Sequence, residues 1–223
     1  MSWKRLVDLA IGVPALCAAA PVIGAMALLV KLDSPGPAFF VQTRVGRNRR
    51  PLRIFKLRSM VTGNSGPAVT SAGDSRITRV GRLLRKTKLD ELPQLLNVVM
   101  GEMSLVGPRP EAERYVRQYR PEWEPLLAVR PGITDLASLV FRDEEELLAA
   151  AHDKERAYVE AVMPAKLGVA LEGVRSSGPL YDATILARTF AAVLKLPGAR
   201  RHAAIAEAEA EIERLNASAD RTS

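Results

Sequence analysis

The apolar positions gather at the N-terminus. From Leu9 to Val30 there are 22 consecutive residues without a formal charge, which as one helix reach about 33 Å, enough to cross a bilayer. Pro21 lies in mid-run, where proline removes a backbone hydrogen bond and collides with the preceding turn; Gly12, Pro14 and Gly24 weaken the helix further. Both flanks are basic, with Lys4 and Arg5 before the run and Lys31, Arg44, Arg47, Arg49 and Arg50 after it. Basic flanks face the cytoplasm, so the pattern predicts a re-entrant helix bent near Pro21, with both ends on one side. A straight span also satisfies the length, since membrane helices tolerate proline. A cleaved signal peptide shares the position, but the basic segment that follows suits export poorly.

Beyond Leu32 the periodicity changes. Ser34-Pro35-Gly36-Pro37 is a stiff turn, which divides the chain into a membrane helix at 1–32, a body at 33–197 and a C-terminal helical tail at 198–223. Ala38–Gln42 and Arg53–Arg58 are short runs rich in aromatic and branched residues, separated by Gly46, Asn48 and Pro51, and read as a β-hairpin. Residues 61–73, rich in Gly, Ser, Thr and Pro, read as a loop. From Arg76 to Lys86 basic residues fall about three apart with Ile77, Val80, Leu83 and Leu84 between them, an amphipathic helix whose basic stripe, Arg85 included, faces either headgroups or substrate. A second helix is expected from about Asp90 to Met100, ended by Gly101, with Pro93 in its first turn. Further helices are expected at Glu111–Tyr119, at an acidic Glu144–Val162 and at Ala183–Leu196, the last lying on the membrane surface. A helix at Ala203–Asn216 shows no obvious apolar stripe and is expected to stand partly free. The fold class is α+β, mainly α-helical, with a small hairpin packed on amphipathic helices. There is no convincing internal repeat.

Composition narrows the chemistry. A formal net charge of +7 favours anionic partners: phosphates, nucleic acid or an anionic leaflet. Aromatic residues make up 5% of the chain, too few for a platform that stacks single-stranded bases. Cys17 is the only cysteine, which excludes an intrachain disulfide framework, and His152 and His202 are the only histidines, which argues against a multi-histidine zinc site and a histidine triad. Carboxylates and bases are left to carry the chemistry.

The carboxylates that stand out are Asp90 and Glu91. At a helix start they meet the positive end of the helix dipole and stay ionised. Ionised, they suit either a nucleophile toward phosphorus or a ligand for Mg²⁺, which takes one or two carboxylates plus substrate phosphates. A plain helix cap is the competing reading, because Thr87-x-x-Asp90 has the form of a capping box. The setting favours chemistry: between Ser34 and Leu89 the only acid is Asp74, against thirteen lysines and arginines. Gly107-Pro108-Arg109-Pro110 presents one arginine on a rigid turn, Arg130-Pro131-Gly132 repeats the design, and Lys56 and Arg58 share a face on a strand.

In order along the chain, Ser34-Pro35-Gly36-Pro37, Phe40-x-Gln42-x-Arg44-x-Gly46, Phe55-Lys56-Leu57-Arg58-Ser59-Met60, Leu89-Asp90-Glu91-Leu92-Pro93-Gln94, Asn97-Val98, Gly101 to Pro110 and Arg130 to Thr134 closely resemble the bacterial sugar transferases called monotopic phosphoglycosyl transferases. The resemblance runs from the membrane segment to about Asp182. It implies transfer of a phosphosugar from a UDP-sugar to polyprenyl phosphate, usually undecaprenyl phosphate, with release of UMP, as a first step of surface glycan assembly at the cytoplasmic face of the bacterial inner membrane. It also implies Asp90 as nucleophile, Glu91 as its partner toward Mg²⁺ and the acceptor proton, and a proline-broken re-entrant helix. Lys56, Arg58, Arg85, Arg109, Arg130 and Asp182 form the expected substrate-binding set.

Two departures limit what is implied. Ala20 precedes Pro21 where many members have serine, so any bend forms without that hydroxyl. Asp135-Leu136-Ala137-Ser138 stands where many carry Gly-Trp, so the sugar is not identified. Tyr158 and Lys166, with Asp182, fall where the family often has polar residues. A non-catalytic alternative is a membrane-tethered basic protein that holds anionic lipid or nucleic acid by counterion release.

Overall fold

A computed structural model describes residues 2–62, 74–194 and 202–220. Helix α1 (Trp3–Asp33) runs without interruption through Pro14 and Pro21 and, among the described residues, is the one helix long and apolar enough to cross a membrane. It is not a detached appendage. Arg5, Asp8, Gly12, Ala15, Ala19, Ile23, Met26, Val30 and Asp33 all touch the body. Successive members are three or four residues apart, the pattern of a single helix face. The opposite face leaves Leu6, Ile11, Val22, Leu28 and Leu32 exposed. Lys4 pairs with Asp182 at one end and Asp33 accepts from the Val80 amide at the other, so one body holds both ends.

Strands β1 (Phe39–Val45) and β2 (Pro51–Leu57) form the expected antiparallel hairpin, in register from Phe39 opposite Leu57 to Val45 opposite Pro51. Its turn puts Asn48 and Arg49 in the left-handed region, at φ 54° and 60°, a conformation that asparagine tolerates better than most residues. Helix α2 (Arg79–Thr87) starts three residues later than the basic periodicity suggests. Thr78 caps it by accepting from the Gly81 amide, while Arg76 stays outside, paired with Asp74. Most of the expected loop at 61–73 lies outside the described residues.

Lys88, at φ 58°, ends α2 and opens a 3₁₀ turn, Leu89–Glu91, that leads through Pro93 into α3 (Gln94–Met100). The chain is thus helical across most of the expected span, with a tight first turn and Pro93 where its missing amide does no harm. Gly101, at φ 85°, closes α3.

A feature absent from the sequence reading follows. Strands β3 (Ser104–Val106) and β4 (Gly132–Thr134) pair in parallel and bring the two proline-flanked arginine turns together. The Gly107 amide donates to Thr134 and the Gly132 amide to Pro108. A Cβ on Gly107 would lie 2.6 Å from the Arg130 carbonyl, and one on Gly132 would lie 2.1 Å from the Gly107 nitrogen. Backbones this close leave no room for a side chain at either position.

The remaining helices are α4 (Glu113–Val116), α5 (Glu124–Ala128), α6 (Leu136–Val140), α7 (Glu144–Ala149), α8 (Lys154–Ala157), α9 (Met163–Arg175), α10 (Pro179–Val193) and α11 (Ala203–Asp220), with a π-helical turn at Tyr158–Val162. The long acidic helix expected at Glu144–Val162 is therefore broken: Asp153 caps a new start at Lys154 by accepting from the Arg156 amide. The helix expected at Glu111–Tyr119 shrinks to one turn. The tail requires a larger correction. Ala204, Ala208 and Ile212 of α11 are buried in the main core with Trp123, Phe141, Leu148 and Val162, so the helix is docked by a narrow stripe at every fourth residue. Two alanines and one isoleucine carry too weak an apolar signal to register in a pattern count.

Candidate active site

Three elements meet at Glu91. The 3₁₀ turn supplies Asp90 and Glu91, β2 supplies Lys56, and the turn after β3 supplies Arg109. Asn97, fully buried on α3, fixes β2 in place: its amide nitrogen donates to the Arg53 carbonyl at 2.8 Å and to Glu102 at 2.7 Å, while its oxygen accepts from the Phe55 amide at 3.3 Å. That clamp aims Lys56, whose ammonium donates to Glu91 Oε1 at 2.9 Å. Arg109 closes the other side with a two-pronged contact, Nη2 to Oε1 and Nη1 to Oε2 at 3.2 Å.

The two acids differ in state. Burial would raise the Glu91 carboxyl, but Arg109 and Lys56 outweigh it and hold the group well below the usual carboxylate range. Asp90 moves the opposite way: burial, then the neighbouring Glu91 charge, push its carboxyl up against the pull of Lys56, Arg85 and Lys88. Asp90 Oδ1 is buried without a hydrogen-bond partner. The two acids therefore respond to their surroundings in opposite directions, and Glu91 is held ionised through arginine and lysine rather than backbone amides. For Lys56, burial lowers the ammonium and Glu91 restores part of the loss.

Behind Arg109 lies a second charged layer. Glu111 accepts from the Tyr158 hydroxyl at 3.0 Å and lies 3.7 Å from Arg44 and 3.8 Å from Lys166. Lys166 also pairs with Glu144 at 2.5 Å. Burial would lower the Lys166 ammonium, but Glu144 and Glu111 raise it, so it stays charged. Arg85 pairs with Glu145 and bears on Asp90 electrostatically. Of the residues expected to bind substrate, Lys56, Arg85 and Arg109 are therefore grouped around the acid pair.

The other three are elsewhere. Arg58 is buried just past β2 and donates to the Val30, Ser34 and Pro35 carbonyls and to the Ser34 hydroxyl, at 2.6–3.2 Å, so it caps the C-terminus of α1. The strand alternation that suggested a shared face with Lys56 ends at Leu57. Arg58→Ala is expected to cost about 2–3 kcal/mol by removing a charged donor from buried carbonyls. Thermal unfolding measures this, and the KM for an anionic substrate should stay unchanged in the protein that remains folded. Arg130 and Asp182 line a different cavity, on the α1 side of the β3–β4 pair, that neither Asp90 nor Glu91 lines.

Sequence reasoning passed over Glu111, Glu144, Glu145 and Asp8. A signal existed for Asp8, an acid just ahead of a long apolar run, where an unpaired charge is costly. It is buried, and its Oδ1 accepts from the Ser104 hydroxyl and the Leu105 amide, both at 2.9 Å. The glutamates had no signal beyond charge.

The site thus sets a buried, unpartnered carboxylate oxygen of Asp90 beside a Glu91 carboxylate fixed by arginine and lysine. The model of the family described as bacterial sugar transferase matches residues 1–196, and the chain belongs to that family. Over 141 residues, 61% of the chain, it is 48% identical to the UDP-glucose:undecaprenyl-phosphate glucose-1-phosphate transferase of Caulobacter vibrioides, of which 53% is covered. Over 145 residues, also 61% of the chain, it is 46% identical to the exopolysaccharide production protein PSS of Rhizobium leguminosarum, of which 72% is covered. A UDP-N-acetylgalactosamine-undecaprenyl-phosphate N-acetylgalactosaminephosphotransferase from Aeromonas hydrophila is 44% identical over 142 residues, 61% of the chain and 34% of that protein. The chain thus spans about half the length of the Caulobacter relative and a third of the Aeromonas one.

Proposed function

We propose that this chain is a phosphoglycosyl transferase that moves a sugar 1-phosphate from a UDP-sugar to a polyprenyl phosphate, undecaprenyl phosphate being the acceptor in the names of its relatives. The observation that carries the reading is the buried, unpartnered Asp90 Oδ1 next to a Glu91 already neutralised by Arg109 and Lys56. Asp90 Oδ1 attacks the β-phosphorus of the donor; an O–P bond forms, the P–O bond of the diphosphate breaks, and UMP leaves with the electron pair. An oxygen of polyprenyl phosphate then attacks the same phosphorus, breaks the bond to Asp90 and regenerates the carboxylate. Arg85, Arg109 and Lys56 supply positive charge where phosphate oxygens gather. Glu91, held ionised, takes up the acceptor's proton if that phosphate arrives protonated.

The donor set suits Mg²⁺. A carboxylate offers about four acceptor sites, and the contacts to Lys56 and Arg109 fill three of those on Glu91. The fourth, with the Asp90 carboxylate, would fit an ion that draws its other ligands from water and phosphate. Among the described residues no group of three or more acid, cysteine or histidine side chains forms a protein-only metal cage. When bound, the ion would screen the developing charge on the diphosphate.

The setting is the membrane. The outward apolar face of α1, with Leu180 and Phe190 exposed on α10, supports insertion into a leaflet; α1 continues through Pro21 without the expected break, so both ends on one side are supported by their attachment to one body. On this reading the site lies at the cytoplasmic face of the bacterial inner membrane, which the basic flanks of α1 favour. Tags at Met1 and Ser223 should both report the cytoplasmic side; opposite sides overturn the topology and leave the chemistry intact.

The activity is tested with purified protein, Mg²⁺, undecaprenyl phosphate and a panel of UDP-sugars. UMP release with at least one donor is expected, and its absence with all of them overturns the reading. Salt-sensitive lipid binding indifferent to Asp90 and Glu91 would instead favour a non-catalytic tether.

A further inference from the structure

Helix α7 opens with three consecutive carboxylates, Glu144, Glu145 and Glu146. Adjacent helical residues point about 100° apart, so one turn aims them three ways. Glu144 pairs with Lys166, and Glu146 lines a groove shared with α11 that Glu145 does not line. Glu145 crosses instead to α2 and pairs with Arg85. Leu148, 1% exposed in the main core, anchors the helix behind them.

The pairing of Arg85 matters because of where α2 ends. Arg85 lies in its last turn; the Lys88 amide donates to the Arg85 carbonyl and the Glu91 amide to the Lys88 carbonyl, each at 3.2 Å. The guanidinium is thereby tied to the turn that carries Asp90 and Glu91. Its Nε is buried without a hydrogen-bond partner among the described residues, while Nη2 is given to Glu145. A guanidinium grips a phosphate with two parallel N–H groups, and Glu145 engages part of that fork.

Exposure decides which anion gives way. The Glu91 side chain, which holds Lys56 and Arg109, is 13% exposed, whereas that of Glu145 is 42% exposed. Water and salt screen a pair that open, and the released carboxylate is rehydrated, so the contact is weak. Releasing Glu91 would instead strand a buried charge. Of the two, Glu145 is the one that an incoming phosphate displaces at the lower cost.

We propose that Glu145 is a positioning residue that acts through Arg85: its carboxylate competes with a substrate phosphate for the guanidinium and so sets the affinity of the site for diphosphate. The choice of diphosphate rests on the transferase reading; the competition itself does not. A ligand that must displace such a contact binds with an affinity reduced to the fraction of molecules in which the contact is open. Removing the Glu145 charge should therefore tighten binding.

The test is calorimetric titration of the full-length chain in detergent with inorganic pyrophosphate, without Mg²⁺ and at fixed ionic strength. Glu145→Gln should lower Kd about three- to fivefold. Glu145→Asp keeps the charge and should stay closer to wild type. Arg85→Gln should weaken binding, and adding Glu145→Gln to it should change nothing further. Glu146→Gln removes the same charge one residue away and should shift Kd by less than about twofold, the effect of a screened field alone.

The proposal falls if Glu145→Gln leaves Kd unchanged or raises it, since a raised Kd means that Glu145 only holds Arg85 in place. It also falls if the tightening persists without Arg85, if Glu146→Gln tightens binding as much, or if pyrophosphate does not bind saturably. Binding is read without turnover, so a chain that releases no UMP can still pass this test and an active one can fail it.

Discussion

Asp90→Asn is expected to abolish UMP release, by about 10⁴-fold or more as for loss of other enzymatic nucleophiles, while raising the protein's thermal midpoint. The activity loss follows because an amide is a poor nucleophile toward phosphorus. The gain in stability follows from the Asp90 environment: burial and the Glu91 charge favour its protonated form, so the ionised group required for attack is a cost to the fold.

The sign can be checked against pH. A carboxyl raised in the folded state contributes stability that is complete below its unfolded pKa, about 3.9, and is lost as pH rises through the folded value. Wild type and Asp90→Asn should therefore have similar midpoints near pH 4 and separate above it, until Asp90 is fully ionised. Turnover should rise with pH along a limb set above the ordinary carboxylate range. Retained activity in Asp90→Asn would remove Asp90 as nucleophile, and a lower midpoint at neutral pH would refute the strain.

The second large effect is expected at Arg109. Arg109→Ala leaves the buried Glu91 with Lys56 as its remaining cationic contact among the described residues. Breaking a fully buried pair costs about 3–5 kcal/mol; the Arg109 side chain keeps 33% exposure against 13% for Glu91, so roughly 2–3 kcal/mol is expected. Glu91 is depressed in the fold, so its stabilising contribution is present above its unfolded pKa and lost as pH falls through the folded value. Without Arg109 the depression shrinks and acid unfolding begins at higher pH. Denaturant titrations at pH 7 and pH 4 measure both changes. Arg109→Lys should recover only part of the loss, because an ammonium cannot reproduce the two-pronged contact. Donor affinity should fall in both variants.

Much of the site was legible along the chain. Adjacent acids in an otherwise basic stretch, a proline-flanked arginine and a lysine on a strand are local features, and the structure assembles Asp90, Glu91, Lys56 and Arg109. The hairpin and the helix after Pro93 were legible for the same reason, since alternation, turn residues and proline act over a few positions. Arg58 shows the limit. Its strand face was predictable only to Leu57, and one residue further on the carbonyls of α1, 24 to 28 positions away, determine its role.

The sequence by itself determined which residues were available for chemistry: the Asp90–Glu91 pair in a basic stretch, an excess of cations and an apolar N-terminal helix, each a consequence of composition and short-range pattern. Only the tertiary structure decided how they divide. The parallel pairing of β3 with β4 sets the two arginine turns back to back, with Arg109 at Glu91 and Arg130 at a separate cavity. Close packing of Gly107 on Gly132 imposes that division. Contact with Arg109 and Lys56 likewise separates Glu91 from the neighbouring Asp90, which looks equivalent in sequence, because the free energy of a charge depends on its surroundings in three dimensions.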